Sequence, residues 1–273
     1  MSLLFALASL VWTVFWWALA WSNAPLLSEY SFFPLWLGYI GSINAISELL
    51  YKDSLLKRLG WRFAWLFIIS MPLWWFFEYL NTIVLNWHYL YRPISELHYF
   101  LQSSIDFSTV IPAVLSVAFL FEKIMRGRLD YKNATWPKSI AWISLIIGIL
   151  AFALMPWRPD LLFPFVWLAP LLVLDPISYW LGFPSILGHL AHGKWSKVMA
   201  IALAALFTGF WWEMWNFWSY PKWYYTIPYV GFLKVFEMPM LGYGGYLFFG
   251  LIIWTFTVFI FSSFNKDNAF TRI

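Results

Sequence analysis

The chain has 273 residues, of which 62% are hydrophobic and only 11% are charged. Soluble domains usually carry about 25% charged residues, so the composition excludes an ordinary soluble domain and predicts an integral membrane protein. The net charge of +4 and the lack of a long basic run argue against nucleic-acid binding, and the lack of cysteine excludes disulfides and thiolate chemistry.

Eight apolar segments are close to the roughly 20 residues that a helix needs to cross a bilayer. In chain order they are residues 2–21, 31–51, 63–85, 97–121, 139–157, 161–182, 198–218 and 243–263. The first segment lacks the positively charged start of a signal peptide, and we expect it to remain as a span. The predicted fold class is therefore all-α, a polytopic membrane protein with about eight transmembrane helices.

Lysine and arginine are concentrated in three connectors, residues 52–62, 122–132 and 189–197. If the spans alternate in direction, all three connectors lie on one side of the membrane. The positive-inside bias makes that side cytoplasmic and places both termini there. We expect a multi-pass protein of a bacterial inner membrane.

The two halves of the sequence share an ordered series of matches. Glu78 and Asn81, in "WWFFEYLN", recur with the same spacing as Glu213 and Asn216, in "WWEMWN". Further matches in the same order are Asn44 with Asp175, "DSLL" (53–56) with "PSIL" (184–187), Trp36 with Trp167, and "WHYLYRP" (87–93) with "WYYTIP" (223–228). These matches predict two parallel repeats of four helices, residues 1–137 and 138–273, with any binding site where they meet. The alternative is a duplication that serves packing alone.

The repeated Glu–Asn pairs are the first candidate site residues. Helical residues three apart share a face, so Glu78 with Asn81, and Glu213 with Asn216, each form a small polar patch. A charged carboxylate inside the bilayer costs at least about 2.5–3.5 kcal/mol. We therefore expect both glutamates to face the bundle interior and to be paired or protonated. The alternative is a hydrogen bond that only joins neighbouring helices.

Two further acids occupy similar places after the outer connectors, Asp106 in "SSIDFSTVIP" and Glu237 in "KVFEMPMLGYGGY". Pro239 and the glycines at 242, 244 and 245 should break or bend the start of the last span, so "FEMPMLGYGG" is predicted to be re-entrant or interfacial. Irregular backbone at membrane depth survives only where protein or a cavity covers it. Glu237 is therefore the strongest single candidate, and its alternative role is to close a loop.

The sequence indicates neither a metal site nor a cofactor. His189 and His192 lie three residues apart in a cytoplasmic connector, but no cysteine or nearby acid completes a ligand set. Motifs of standard hydrolase and nucleotide-binding sites are lacking. The cofactor, if there is one, is unknown.

The order of motifs in each unit resembles that of the integral-membrane lycopene cyclases of bacteria, archaea and fungi, whose chains carry two copies of a three-helix domain. The residues that carry the resemblance are "WE" (212–213), "KW" (222–223), "YVGFLKVFEMP" (229–239) and "YLFF" (246–249). The family's paired glutamates after the proline are absent from this chain, where Met240 and Leu241 stand instead. The resemblance implies the cyclisation of a polyene end.

Such a reaction needs an acid, a shielded path for a carbocation, and a base. A carboxylic acid kept neutral in an apolar site can donate the proton, and tryptophan faces stabilise cations. The predicted catalytic residues are Glu78, Glu213, Glu237 and Asp106, and the predicted substrate-binding residues are Asn81, Asn216, Trp75, Trp212 and Trp223.

The expected function is the binding or conversion of an isoprenoid or carotenoid-like membrane lipid, as a cyclase or isomerase. One alternative is a transporter or channel in which the Glu–Asn pairs form an ion or proton site. Another is a non-catalytic subunit of a membrane complex, and the sequence is compatible with an oligomer. A polar path across the bundle would favour transport, and large exposed aromatic patches without a cavity would favour the subunit.

Overall fold

The structure is a computed structural model that describes residues 3–24, 27–131 and 139–264. These residues are mostly α-helical, which confirms the predicted all-α class. Among them, five helical segments are long and apolar enough to cross a membrane, so the chain has the character of a membrane protein. The five segments are Leu3–Ser22, Leu55–Val84, Glu96–Met125, Trp195–Phe217 and Met240–Phe264.

Helices and strands follow one another in a similar order in the two halves. The first half contains α1 (Leu3–Ser22), α2 (Phe32–Tyr51), α3 (Leu55–Leu59), α4 (Ala64–Val84), β1 (Trp87–Leu90), α5 (Glu96–Phe107) and α6 (Val110–Met125). The second half contains α7 (Ser139–Leu154), α8 (Pro159–Leu162), α9 (Phe165–Trp180), α10 (Ile186–Ala191), α11 (Trp195–Phe217), β2 (Lys222–Tyr225), β3 (Lys234–Val235), β4 (Met238–Pro239) and α12 (Tyr243–Phe264). Each predicted segment contains a helix, but α7 and α9 are shorter than a typical span, and the number of crossings stays a prediction. The proposed boundary between residues 137 and 138 lies outside the described residues.

The segment predicted as one span over residues 97–121 consists of two helices, because the chain breaks between α5 and α6. Ser70 of α4 lies at this break: its hydroxyl donates to the carbonyl of Phe107 at 2.6 Å and accepts from the N–H of Ile111 at 3.1 Å. Pro112 follows in the first turn of α6 and has no N–H to continue the helix backwards. The serine thus supplies partners for the backbone groups that the break leaves free.

Helix α6 is the centre of the bundle. Every residue from Val110 to Leu120 is buried, and α6 packs against α11, α2, α4 and α12. Small residues let the helices of the core approach one another closely, as is typical of membrane proteins. At Gly250 of α12, an added Cβ would lie only 2.5 Å from the carbonyl oxygen of Ile201 in α11.

A two-stranded antiparallel ribbon joins the two halves at one end of the bundle. β1 pairs with β2 so that Trp87 lies opposite Tyr225 and Tyr89 lies opposite Trp223. A second short hairpin, β3 with β4, precedes α12. The prediction for the glycines after Pro239 was partly wrong: the irregular segment ends at Gly242, and Gly244 and Gly245 lie inside α12. Gly245 has a packing reason to be there, since an added Cβ would lie 3.1 Å from the Trp167 ring.

Buried polar side chains hold the starts of two short helices at the opposite end of the bundle. The side-chain oxygen of Asn44 accepts from the N–H of Leu56 at 2.8 Å. The carboxylate of Asp175 accepts from the N–H groups of Ile186 and Leu187 at 2.6 and 2.9 Å. Asn44 and Asp175 were matched in sequence, and both bind the first turn of the helix that follows.

At the same end, Asp53 forms an ion-paired cluster with two basic side chains. Its carboxylate lies 2.6 Å from the guanidinium of Arg58 and 2.9 Å from the ammonium of Lys123. Arg58 foremost, with Lys123, lowers the pKa of Asp53 to about 2. The ion pairs therefore link the α2–α3 connector to the end of α6.

We predict that Asp53→Asn lowers the stability of the protein at neutral pH by roughly 1–2 kcal/mol, because the amide cannot form these ion pairs. Since the pKa of Asp53 is depressed in the folded protein, the ionised side chain makes its full contribution to stability above the usual aspartate pKa. This contribution is lost as the pH falls toward 2. Melting curves in detergent between pH 7 and pH 3 should show the difference between wild type and Asp53→Asn narrowing on acidification. A constant difference over this range would contradict the assignment.

Candidate functional site

A cavity of about 480 Å³ lies at the ribbon end of the bundle, between the two halves. This volume is in the range of small-molecule sites, about 300–1,000 Å³. Its wall is mainly apolar and aromatic and includes Trp74, Trp87, Trp167, Trp212, Trp215 and Trp223. The described structure therefore has a tryptophan-rich cavity to which both halves contribute.

The ribbon forms part of the cavity wall. Side chains alternate between the faces of a strand, and Trp87, Tyr89, Trp223 and Tyr225 all line the cavity. At the middle of the ribbon, His88 lies opposite Tyr224, with ring centroids 5.2 Å apart. The cavity face of this ribbon is thus made of four aromatic side chains that carry N–H or O–H donors.

Glu78, on α4, accepts hydrogen bonds from the ribbon and from its own helix. Its Oε1 accepts from the hydroxyl of Tyr89 at 2.6 Å, from Nε1 of Trp74 at 2.8 Å and from Nε1 of Trp87 at 3.1 Å. The three donors line the cavity, and Glu78 lies behind them. The predicted inward orientation of Glu78 is consistent with these contacts.

Glu213, on α11, occupies a similar position under the other strand. Its Oε1 accepts from the hydroxyls of Tyr225 at 2.6 Å and Tyr246 at 2.7 Å, and Nε1 of Trp223 donates to Tyr225 at 2.8 Å. Glu213 is fully buried, with 0% of its surface exposed. Its Oε2 has no hydrogen-bond partner among the described residues. One oxygen of this carboxyl group is therefore free to carry a proton.

The two glutamates differ in one donor: Glu213 accepts a hydrogen bond from a tyrosine of α12, and Glu78 accepts one from a tryptophan of α4. The reason is a glycine that stands where the other half has this tryptophan. Trp74 precedes Glu78 by four residues, and Gly209 precedes Glu213 by four residues. The Tyr246 ring packs on Gly209 so closely that an added Cβ would lie 2.6 Å from it. The donor that comes from the acid's own helix in one half thus comes from a neighbouring helix in the other.

The two asparagines bind the backbone of the ribbon, not the glutamates. The side chain of Asn81 donates to the carbonyl of Trp87 at 2.7 Å and accepts from its N–H at 3.2 Å. Asn216 donates to the carbonyl of Trp223 at 2.7 Å and accepts from its N–H at 2.8 Å. Each amide therefore fixes the strand whose aromatic side chains reach the glutamate, and so orients the acid indirectly.

The other candidates fall into different surroundings. Asp106, Trp212 and Trp223 line the cavity, and Gln102 donates to Asp106 at 3.2 Å. Trp75 is not part of the cavity wall: its Nε1 donates to Ser104 at 2.9 Å, and its ring stacks on Phe100 at 5.2 Å.

Glu237 forms an ion pair with Lys222 at 2.6 Å, which links the β3–β4 hairpin to the ribbon. Lys222 also donates to the carbonyl of Phe217 at 2.9 Å. The geometry of Glu237 therefore corresponds to its alternative role, the closing of a loop.

The tyrosines were missed as site residues from the sequence. Tyr89, Tyr225 and Tyr246 contact the glutamates, and Tyr91 lies on the cavity wall. Burial, and then the nearby glutamates, raise the pKa of Tyr89 and of Tyr225 well above the ordinary value, so both hydroxyls are donors. The alternation of aromatic and other residues in "WHYLY" is the signal that could have identified a strand with one aromatic face.

No protein-family model, curated protein or solved structure matches the chain. Among the described residues, no group of three or more histidine or acidic side chains could hold a metal ion. The function is therefore inferred from the cavity and from the groups on its wall.

We predict that Asn216→Ala destabilises the protein by about 1–3 kcal/mol, because it leaves the N–H and the carbonyl of Trp223 without their partner. Asn81→Ala should have a similar effect at Trp87. Melting temperatures in detergent would measure both, with the exposed Thr82→Ala in the same α4 turn as the control. If Thr82→Ala lowered the melting temperature as much as Asn81→Ala does, the proposed role of the amides would be contradicted.

Proposed function

We propose that the protein binds an isoprenoid or carotenoid-like membrane lipid in the cavity and converts it as a cyclase or isomerase. The observation that carries the proposal is Glu213, a fully buried acid with one unpartnered oxygen, bonded to two tyrosines of the cavity wall. A largely apolar wall favours a hydrocarbon ligand. The resemblance to the lycopene cyclases agrees with this chemistry.

In the proposed reaction, Glu213 in its neutral form is the acid and Tyr225 relays its proton. The hydroxyl of Tyr225 turns toward the cavity and gives its hydrogen to one carbon of a ligand double bond. The carboxyl group of Glu213 rotates so that the oxygen that carries the proton faces Tyr225, and Tyr225 takes this proton in the same step. The two π electrons of the double bond form the new C–H bond. The other alkene carbon is left as a carbocation.

The carbocation is then removed without a change in composition. For cyclisation, a second double bond of the ligand attacks it and closes a ring, which moves the positive charge to the other carbon of that double bond, and a C–H next to this carbon then loses its proton. For isomerisation, a C–H next to the first cation loses its proton directly and the double bond moves. Glu78 accepts that proton through Tyr89, and its return to Glu213 restores the starting state. Cation–π contacts with the surrounding tryptophans are worth about 2 kcal/mol or more each when desolvated.

Transport is less well supported by the packing. A transported ion needs a polar path through the bundle. On the inner side of the cavity lies α6, whose residues from Val110 to Leu120 are all buried and mostly apolar. The contacts of Glu78 and Glu213 are with aromatic donors of the cavity wall.

We also infer that the protein consists of two parallel repeats. Support comes from matched contacts: Glu78 and Glu213 accept from the tyrosines of β1 and β2, and Asn81 and Asn216 bind the strand backbones. The two equivalent strands pair antiparallel around the His88–Tyr224 position, as expected for a pseudo-two-fold axis between the halves. The membrane location proposed from the basic connectors is the bacterial inner membrane, with both termini cytoplasmic.

The proposed orientation predicts which positions are accessible from outside. Cysteines introduced at Asn23 and Tyr220, near the ribbon end, should react with an impermeant thiol reagent applied to intact cells. A cysteine at Lys57 should react only after the membrane is permeabilised. Since the natural chain has no cysteine, each signal reports one site. Labelling of the Lys57 variant in intact cells would overturn the orientation.

The proposed acid predicts that Glu213→Gln and Tyr225→Phe each reduce conversion at least about 100-fold, the usual contribution of general acid–base catalysis. Both variants keep the size of the side chain but remove the transferable proton. Mass spectrometry of the isoprenoids in membranes that express each variant would measure conversion, and detergent melting would measure folding. Glu96→Gln, which changes an exposed carboxyl on α5, is the matched control.

Two results would count against the proposed chemistry. Full conversion by Glu213→Gln would end the acid–base hypothesis. A loss of conversion that always accompanies an equal loss of folded protein would assign the glutamate to packing.

A further inference from the structure

Helix α5 has its polar face directed to the interior of the protein and its apolar face directed outward. Tyr99, Gln102, Ser103 and Asp106, which share one face by their spacing, line the cavity. The opposite face carries Leu97, Phe100, Leu101 and Ile105, and all four are exposed. An outward apolar face is expected for a helix in lipid, but polar residues facing an otherwise aromatic cavity require another explanation.

Polar groups from two other segments join this face. The hydroxyl of Tyr91 donates to Glu29 at 2.9 Å, and both residues line the cavity. Asp106 accepts from Gln102 at 3.2 and 3.3 Å. The α5 side of the cavity is thus polar, while Trp167, Trp212 and Tyr246 make the side toward α9, α11 and α12 aromatic.

The polar side offers mainly acceptors. A carboxyl group offers acceptor positions in either protonation state, about four when it is ionised, so Glu29 and Asp106 together have more positions than their donors fill. An anionic head group would be repelled by these carboxylates. The nearby cation of the wall, Lys222, is engaged with Glu237 at 2.6 Å.

We propose that the natural ligand of the cavity is amphipathic, with a hydroxyl or ammonium head group that donates a hydrogen bond to Asp106. Its hydrocarbon chain then lies between Trp74, Trp167 and Trp212, close to the Tyr225–Glu213 pair. The proposal rests on the proposed function for the identity of the site and adds the class of ligand: an isoprenoid alcohol or amine in place of an unsubstituted hydrocarbon. Asp106 is then a binding residue.

The test compares three probes that share one polyene chain and differ only at the head: retinol, its deoxygenated hydrocarbon axerophthene, and retinylamine. Because six tryptophans line the cavity, energy transfer from tryptophan to the bound polyene reports binding to the purified full-length protein in detergent. We expect retinol or retinylamine to bind at least about tenfold more tightly than axerophthene, as one hydrogen bond to a charged acceptor allows.

Variants of α5 assign the preference to its polar face and distinguish the two head groups. In Asp106→Leu, the affinities for retinol and retinylamine should lie within about threefold of the affinity for axerophthene. Asp106→Asn, which keeps an acceptor oxygen but no charge, should abolish a preference for retinylamine and largely keep one for retinol. Glu96→Gln, on the same helix but exposed to the outside, should change nothing. Melting curves identify any variant that fails to fold, and Gln102→Leu then serves as the second test of the same face.

The outcome is separable from that of the acid–base proposal. Equal affinities of the wild type for all three probes would overturn the head-group site, even if Glu213→Gln abolishes conversion. An unchanged preference in Asp106→Leu and Gln102→Leu would also overturn it. Conversely, Glu213→Gln should keep the full preference for the polar probe, because the acid lies behind the opposite wall.

Discussion

The arrangement of this site depends on the cost of keeping two carboxyl groups inside an apolar bundle. A buried polar group without a hydrogen bond costs several kcal/mol, and the structure answers this with aromatic N–H and O–H donors. Most of those donors are on one short ribbon, which two asparagines hold by its backbone. The side chains that donate to Glu78 and Glu213 also form part of the cavity wall. The shape of the binding site is therefore set by the hydrogen bonds that the two buried acids require.

The two acids are nevertheless not equivalent. Glu78 is only partly buried and receives a donor from Trp74 on its own helix. Glu213 is fully buried, and its third side is closed by Tyr246, which packs where Gly209 leaves space. Because the more deeply buried acid also has the unpartnered oxygen, the second half is better suited to hold a transferable proton. The two halves thus differ in their acids: Glu213 is better suited to give up a proton, and Glu78 is better suited to structure or to accepting one.

Hydropathy was sufficient to locate the long helices, because a run of about 20 apolar residues has few other stable structures. The cost of a charge in lipid was sufficient to predict that Glu78 and Glu213 face the interior of the bundle. The pairing of residue 87 with residue 225 could not be predicted, since it depends on which distant strands meet after the helices pack. The break at Ser108 was missed because it depends on Ser70 from another helix. The sequence context of Glu237 did not reveal Lys222 as its ion-pair partner, and its catalytic role stays a prediction.

The ribbon has a mechanical consequence. β1 and β2 pair through four residue pairs, and this ribbon places Tyr89 against one glutamate and Tyr225 against the other. A displacement that lifts one tyrosine from its acid must also shift the other, because the strands move together. The two half-sites are therefore mechanically coupled, and we expect a ligand that displaces one strand to change the surroundings of both acids.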